Sequence, residues 1–261
     1  MNFLKNSASW RFKLGIILIL ISVAIYLLNF IIFHNARDLE FYVLIDLAYI
    51  PLEVLFVILI IEWAINQREK RNLLQKLNMV IGSFFSEVGT DLLKGISDFD
   101  NKTGKIRQKL KITDKWTNED FLKASEKIKS YNYDVYLGKD NPESLIYLQE
   151  LKTFLIDKRD FMLRLLANPN LLEHDSFTDL LWAVFHLTEE LENRENLTDL
   201  PKADYNHLAG DAQRAYGLLV YEWLQYMEHL MNNYPYLFSL AIRLNPFDPD
   251  AKVEIQDIYS K

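Results

Sequence analysis

The sequence predicts an all-α protein in which a hairpin of two transmembrane helices precedes a cytosolic helical bundle. Residues 14–33 carry no charge over twenty positions, which is enough helix to cross a hydrocarbon core of about 30 Å. A second apolar run, residues 41–65, is similarly long. Beyond Asn66 the apolar residues recur at steps of three and four, the helical period, and no β-hairpin signal occurs.

Three segments follow from these patterns. The transmembrane hairpin takes residues 1–65, a juxtamembrane helix and basic linker take residues 66–116, and the bundle takes residues 117–261. Capping residues and prolines divide the bundle into helical segments. The predicted helices lie near 118–131, 142–168, 175–194, 203–233 and 235–244.

The distribution of basic residues predicts the orientation of the hairpin. The loop between the two spans carries one basic residue, Arg37, apart from His34. More basic residues flank the outer ends of the spans: Lys5, Arg11, Lys13, Arg68, Lys70, Arg71 and Lys76. The positive-inside rule therefore predicts a multi-pass protein of the cell (inner) membrane with both termini in the cytoplasm.

Small residues form a stripe on the helix that continues from the second span. Gly82, Ser86 and Gly89 recur at steps of four and three. Small side chains at this spacing let another helix approach closely. The stripe therefore predicts a close helix contact, either within a subunit or between the subunits of a homo-oligomer.

The second span contains two acids, Asp46 and Glu53, within its apolar run. Their seven-residue spacing turns through about 700° of helix, so both carboxylates lie on one face, roughly 10 Å apart. An ionised acid at the bilayer centre costs roughly 2.5–3.5 kcal/mol even on the lenient insertion scale, so it needs a polar partner. Pro51 removes one backbone donor between the acids and predicts a helix kink.

The first span carries a polar stripe at matching depth, formed by Ser22, Tyr26 and Asn29. One interpretation is a hairpin held together by internal hydrogen bonds. The other is an ion pathway in which several copies each add Asp46 and Glu53 to acidic rings, as cation-selective pores do. A homo-oligomeric pore that conducts inorganic cations is the leading functional prediction.

The bundle contains two histidine–carboxylate pairs at helical spacing. His186 and Glu190 are four residues apart, as are His207 and Asp211, so each pair lies on one helical face. Carboxylates and histidines that project inward hold metals in helical bundles. These pairs predict a candidate site for a divalent or transition metal, and the alternative is an ion-pair network in which Arg214 binds the acids.

The alternative function that follows is a membrane-anchored interaction or signalling module whose helical domain binds a partner or a metal. Composition disfavours other classes. Residues 66–261 contain 25 basic and 31 acidic side chains, a net charge of −6, which is unsuited to nucleic acid. No phosphate-binding, dinucleotide-binding or hydrolase motif occurs, so no enzyme and no organic cofactor are predicted.

Four stretches resemble a known family. These are KLNMVIGSFFSEVGT (76–90), LWAVFHLTEEL (181–191), HLAGDAQRAY (207–216) and YPYLFSLAIRLNPFDP (234–249). They are similar to an uncharacterised family of prokaryotic two-span membrane proteins with a helical cytosolic domain. The resemblance implies a bacterial or archaeal origin and no particular activity. The partners predicted from the span and stripe patterns are the lipid bilayer, inorganic cations and copies of the chain itself.

Overall fold

The computed structural model describes residues 16–17, 19–28, 30–32, 36–169, 171 and 174–254, and the chain divides into two compact units, Met1–Lys70 and Arg71–Lys261. The helices are α1 (Ile19–Ile32), α2 (Ala36–Phe84), a π-helical turn (Phe85–Gly89), α3 (Thr90–Ser97), α4 (Thr103–Lys109), α5 (Asn118–Lys129), α6 (Pro142–Asp157), α7 (Arg159–Leu166), α8 (Asp175–Glu192), α9 (Lys202–Asn233) and α10 (Pro235–Arg243). In these residue ranges no β-strand occurs, and one isolated bridge pairs Asp100 with Val135. The predicted all-α class is confirmed.

The first unit is built from α1 and the beginning of α2, and its apolar side chains are exposed. The continuous helical stretch Glu40–Ser97, which comprises most of α2, the π-helical turn and α3, is long and apolar enough to cross a membrane by length and composition. Helix α1 is a shorter apolar helix. The most apolar window of the long helix has a mean hydropathy of 2.5, and none of it is buried. Large exposed apolar patches mark surfaces that contact other apolar groups, either in a membrane or in another protein.

In the second unit α9 is the central helix. It packs against α8, α5, α10 and α3, while α8 also packs against α6 and α7. The buried face of α9 is mostly apolar, and it includes Leu208, Ala212, Leu219, Val220, Leu224 and Met227. Burial of this apolar face requires other helices to pack along the length of α9. The α8–α9 contact positions the candidate site described below.

The π-helical turn lies where α2 passes into α3, and aromatic side chains surround it. Phe85 stacks on Tyr226 of α9, with ring centroids 5.4 Å apart. Phe84 meets Phe177 of α8 edge to face, also at 5.4 Å. A π-turn of this kind aims consecutive side chains differently from a regular α-helix, and here both phenylalanines reach the core.

The small-residue stripe lies along this region, and two of its members have close neighbours within the chain. A Cβ added at Gly82 would lie 3.2 Å from the Tyr226 hydroxyl, and one added at Gly89 would lie 2.5 Å from the Phe85 ring. Ser86 is exposed. The two glycines therefore make room for aromatic rings of their own subunit. The contact between subunits stays a prediction, and Ser86 is the exposed member of the stripe that could make it.

Most helix starts follow the sequence signals. Thr117 and Asp120 form a capping box at the start of α5, and Asn141 caps α6 ahead of Pro142. At α8 the capping side chain is His174, which accepts a hydrogen bond from the backbone N–H of Phe177. Each cap satisfies backbone donors that the first helical turn leaves free.

The structure differs from the sequence prediction in two segments. The predicted helix 142–168 is two helices, because the backbone leaves α6 at Lys158 before α7 begins. The predicted basic linker contains α4, and Ile106, Leu110 and Ile112 within it are buried. Basic residues alternate with these apolar ones, so the segment is solvated on one side and packed on the other.

Candidate metal centre

Helices α8 and α9 bring the two histidine–carboxylate pairs together. His186 lies opposite Asp211, and Glu190 lies opposite His207, so the two helices run antiparallel through the site. Each pair occupies one face of its helix because residues four apart are neighbours on the helical surface. The structure therefore places all four sequence-predicted residues in one cluster.

The distances within the cluster suit a metal ion. His207 Nε2 lies 3.3 Å from Asp211 Oδ2 and 3.5 Å from Glu190 Oε2. His186 Nε2 lies 3.5 Å from Asp211 Oδ2 and 3.8 Å from Glu190 Oε1. Ligand atoms about 2.0–2.2 Å from a tetrahedral zinc ion lie roughly 3.3–3.6 Å from one another. The donor atoms of His186, Glu190 and His207 all lie within 4.8 Å of one another, and Asp211 Oδ2 lies next to both imidazoles.

Asp211 forms the buried base of the cluster. Its side chain is 3 % exposed, whereas those of His186 and His207 are 44 % and 52 % exposed. Asp211 Oδ2 has no hydrogen-bond donor among the residues that the structure describes. A buried carboxylate oxygen without a donor is costly, and this one is directed at both imidazole nitrogens. A cation among the four donors would compensate it.

Arg194 holds the second carboxylate in place. Its Nη1 donates to Glu190 Oε2 at 2.7 Å, while Nε and Nη2 donate to the two carboxylate oxygens of Asp204 at 2.9 and 2.7 Å. The hydrogen bond from Arg194 lowers the pKa of Glu190 and so keeps this carboxylate ionised. The sequence analysis did not single out Arg194, although its spacing of four residues from Glu190 is a signal that could have identified it.

Arg214 contacts the other carboxylate. Its Nη1 donates to Asp211 Oδ1 at 3.1 Å, which leaves Oδ2 free for the cluster. The alternative to a metal site is an ion-pair network, and that alternative predicted this pairing of Arg214 with an acid. The two arginines also act as the outer contacts that orient ligating carboxylates in metal sites, so these contacts are compatible with both interpretations.

The polar residues of the hairpin are placed differently. Tyr26 Oη donates to Asp46 Oδ2 at 2.5 Å, so one residue of each polar stripe is paired within the chain. Ser22 and Glu53 are exposed, and α2 continues through Pro51 without interruption. Asn29 lies outside the described residues.

Glu222 is a buried acid on α9, away from the metal cluster. Its side chain is 1 % exposed, and neither carboxylate oxygen has a hydrogen bond of normal geometry to a residue in the described ranges. Burial raises the pKa of this carboxyl, and nearby Ser176 and His174 oppose that rise. The folded protein therefore holds this proton to a higher pH than the unfolded chain does.

The fold and the cluster together define a helical protein of two parts with a candidate metal centre between α8 and α9. The chain belongs to the MJ1433 family. Residues 5–65 match the model described as MJ1433, N-terminal helical domain, and residues 73–243 match that of Uncharacterized protein MJ1433, C-terminal helical domain. The resemblance to an uncharacterised family is confirmed, and the break between the matches brackets the boundary between the two units.

One relative matches nearly the whole chain. The chain is 45 % identical over 252 residues to Uncharacterized protein MJ1433 of Methanocaldococcus jannaschii, covering 97 % of this chain and 99 % of the relative. No solved structure matches the chain.

The raised pKa of Glu222 predicts a pH-dependent stability. The unfolded chain releases this proton near the ordinary value of 4.5, whereas the folded chain retains it to higher pH. The folded state thus binds more protons, and the free energy of unfolding falls as pH rises through the raised pKa. Glu222→Gln removes this loss, by about 1.4 kcal/mol for each unit by which the pKa is raised.

Thermal unfolding of the full chain at pH 5 and pH 8 tests this. We expect the Glu222→Gln variant to gain stability over the wild type at pH 8 and to gain much less at pH 5. The exposed Glu126 supplies the control, because Glu126→Gln should leave the pH profile unchanged. Parallel profiles for the wild type and Glu222→Gln would show that the buried carboxyl does not titrate as described.

Proposed function

We propose that the protein is a membrane-anchored metal-binding protein, in which a two-span hairpin holds a cytosolic helical bundle at the cell membrane. The observation that carries the metal-binding function is the convergence of His186, Glu190 and His207, whose donor atoms all lie within 4.8 Å of one another, beside a buried oxygen of Asp211 that faces both imidazoles. Two imidazoles and two carboxylates are donors that zinc and other first-row divalent metals accept.

The membrane part of the proposal is supported by the first unit. Its exposed apolar side chains suit a hydrocarbon environment, and α2 supplies far more than the roughly 20 residues that a span needs. Basic residues flank both predicted spans on the same side, which favours cytoplasmic termini. The hydrogen bond between Tyr26 and Asp46 fits a hairpin in which polar groups of the spans satisfy each other.

The number of ligands favours binding over catalysis. His186, Glu190 and His207 supply three converging donors, and Asp211 Oδ2, next to both imidazoles, supplies the fourth when its side chain turns toward the ion. Four protein donors complete a tetrahedral shell, whereas catalytic zinc sites keep one position for water or substrate. Both histidines are about half exposed, so an ion can enter from solvent without unfolding of the bundle. This combination suits a regulatory or structural metal that exchanges with the cytosol, and it supports a signalling role rather than an enzymatic one.

Removing either histidine is expected to abolish tight metal binding. His186→Ala and His207→Ala each delete one imidazole donor, and we expect zinc affinity to fall at least tenfold. Isothermal titration of zinc into chelator-treated full chain measures this. A ligand present at 100 times its dissociation constant stabilises the folded state by about 2.7 kcal/mol, so zinc should also raise the unfolding temperature of the wild type.

His229 provides the matched control. It lies outside the cluster, where its Nδ1 is 3.0 Å from the amide nitrogen of Asn78. His229→Gln should therefore bind zinc like the wild type. Equal zinc affinity in all four proteins, or no zinc binding by the wild type, would leave the cluster as an ion-pair network.

Cation conduction by a homo-oligomer is the second candidate function, and Glu53 is the observation that favours it. This carboxylate is exposed within the apolar part of α2, and it has no hydrogen bond or ion pair to any side chain in the described part of the chain. Several copies would place one Glu53 each around an axis, where a ring of acids attracts cations. Asp46 contributes less, because it already accepts a hydrogen bond from Tyr26.

Flux into liposomes distinguishes this candidate. Glu53→Gln removes one charge per subunit from a zone of low dielectric, so cation flux should fall severalfold or lose selectivity. Asp46→Asn is the matched control and should have a weaker effect. Absence of flux through the wild type, or flux unaffected by Glu53→Gln, would rule out a pore lined by this residue.

A further inference from the structure

A groove beside the candidate metal cluster is lined by aromatic and basic side chains. It has a volume of about 770 Å³ and is formed by one face of α9, the end of α5 and the segment that follows α5. Among the residues that line it, Lys129 and Arg214 are basic and none is acidic. The whole chain has a net charge of −7, so this groove is a local positive region in an acidic protein. Its size lies within the range of small-molecule sites.

The two basic side chains can engage a ligand. Arg214 uses Nη1 for Asp211, and its other nitrogens have no described partner, while 63 % of the side chain is exposed. Lys129 lies over the ring of Tyr221, 5.2 Å from its centroid, and forms no ion pair with a described residue. A guanidinium with free N–H donors and an ammonium without an acidic partner are groups that proteins use to bind phosphate.

The remaining walls suit a flat organic group. Tyr131, Tyr133 and Tyr221 line the groove and are all partly exposed. At Gly210 the surface of α9 is open, because an added Cβ would meet no atom within 4 Å. In nucleic-acid-binding proteins, stacking of a base on an aromatic ring contributes about 1–3 kcal/mol to the free energy of binding.

We propose that this groove binds a small phosphate monoester that carries a planar ring, the class of molecule to which mononucleotides belong. Arg214 and Lys129 bind the phosphate, and the tyrosines contact the ring. Arg214 also contacts the metal-cluster residue Asp211, but the groove binds its ligand without the metal. This site is therefore independent of the proposed metal-binding function.

Binding of AMP to the full chain in detergent and excess chelator tests the proposal by isothermal titration. We expect Lys129→Gln and Arg214→Gln each to weaken AMP binding about tenfold, since each loses a charge-assisted contact. Gly210→Leu fills the open floor of the groove, and it should abolish AMP binding while the better helix former preserves the fold. Lys127→Gln removes an exposed charge of α5 outside the groove and should change nothing.

Adenosine and inorganic phosphate separate the two parts of the ligand. We expect each to bind at least tenfold more weakly than AMP. No AMP binding by the wild type at millimolar concentration, or equal binding by Gly210→Leu, would overturn the site. Inorganic phosphate that binds as tightly as AMP would overturn the role of the tyrosines. As a control for intact folding, Lys129→Gln should bind zinc as the wild type does.

Discussion

The antiparallel packing of α8 on α9 is the contact on which the candidate site depends. Apolar residues of both helices bury each other along the interface, and the register of that packing sets His186 opposite Asp211 and Glu190 opposite His207. Each helix supplies one histidine–carboxylate pair to the cluster. A shift of one helical turn, about 5.4 Å, would separate the donors beyond the reach of a single ion, so the core of the second unit fixes the geometry of its surface cluster.

Charge balance explains why the cluster needs two arginines. Glu190, Asp204 and Asp211 have described ion-pair partners at the cluster, whereas the buried Glu222 of α9, away from it, has none. Arg194 neutralises Glu190 and Asp204 together, and Arg214 takes one oxygen of Asp211. The oxygen left over on Asp211 faces both imidazoles, which makes this position the most favourable one for an added cation. Glu222 instead remains neutral over a wider pH range because its surroundings offer too little compensation.

The sequence predicted the residues of the site but not their arrangement. The i, i+4 spacing of His186 with Glu190 and of His207 with Asp211 follows from helix geometry alone, whereas the pairing between helices depends on tertiary register. Arg194 was not predicted, because its role depends on contacts with both Glu190 and Asp204, and the contact with Asp204 forms only when α9 packs on α8. In the fold, the period of apolar residues and the capping residues predicted the helical segments. Helix α4 was not predicted, because the many lysines of this segment make its sequence look solvent-exposed although Ile106, Leu110 and Ile112 are buried. The break at Lys158 has no proline or glycine to mark it.

X-ray absorption at the zinc K edge, on the full chain loaded with one equivalent of zinc, tests the central claim most directly. The account predicts four nitrogen or oxygen ligands at about 2.0–2.2 Å, with the outer-shell scattering of two imidazoles. His186→Ala and His207→Ala should each reduce the imidazole scattering to that of one ring. A shell of six oxygens without imidazole scattering would contradict the account, since zinc would then occupy surface carboxylates and water rather than the cluster between α8 and α9.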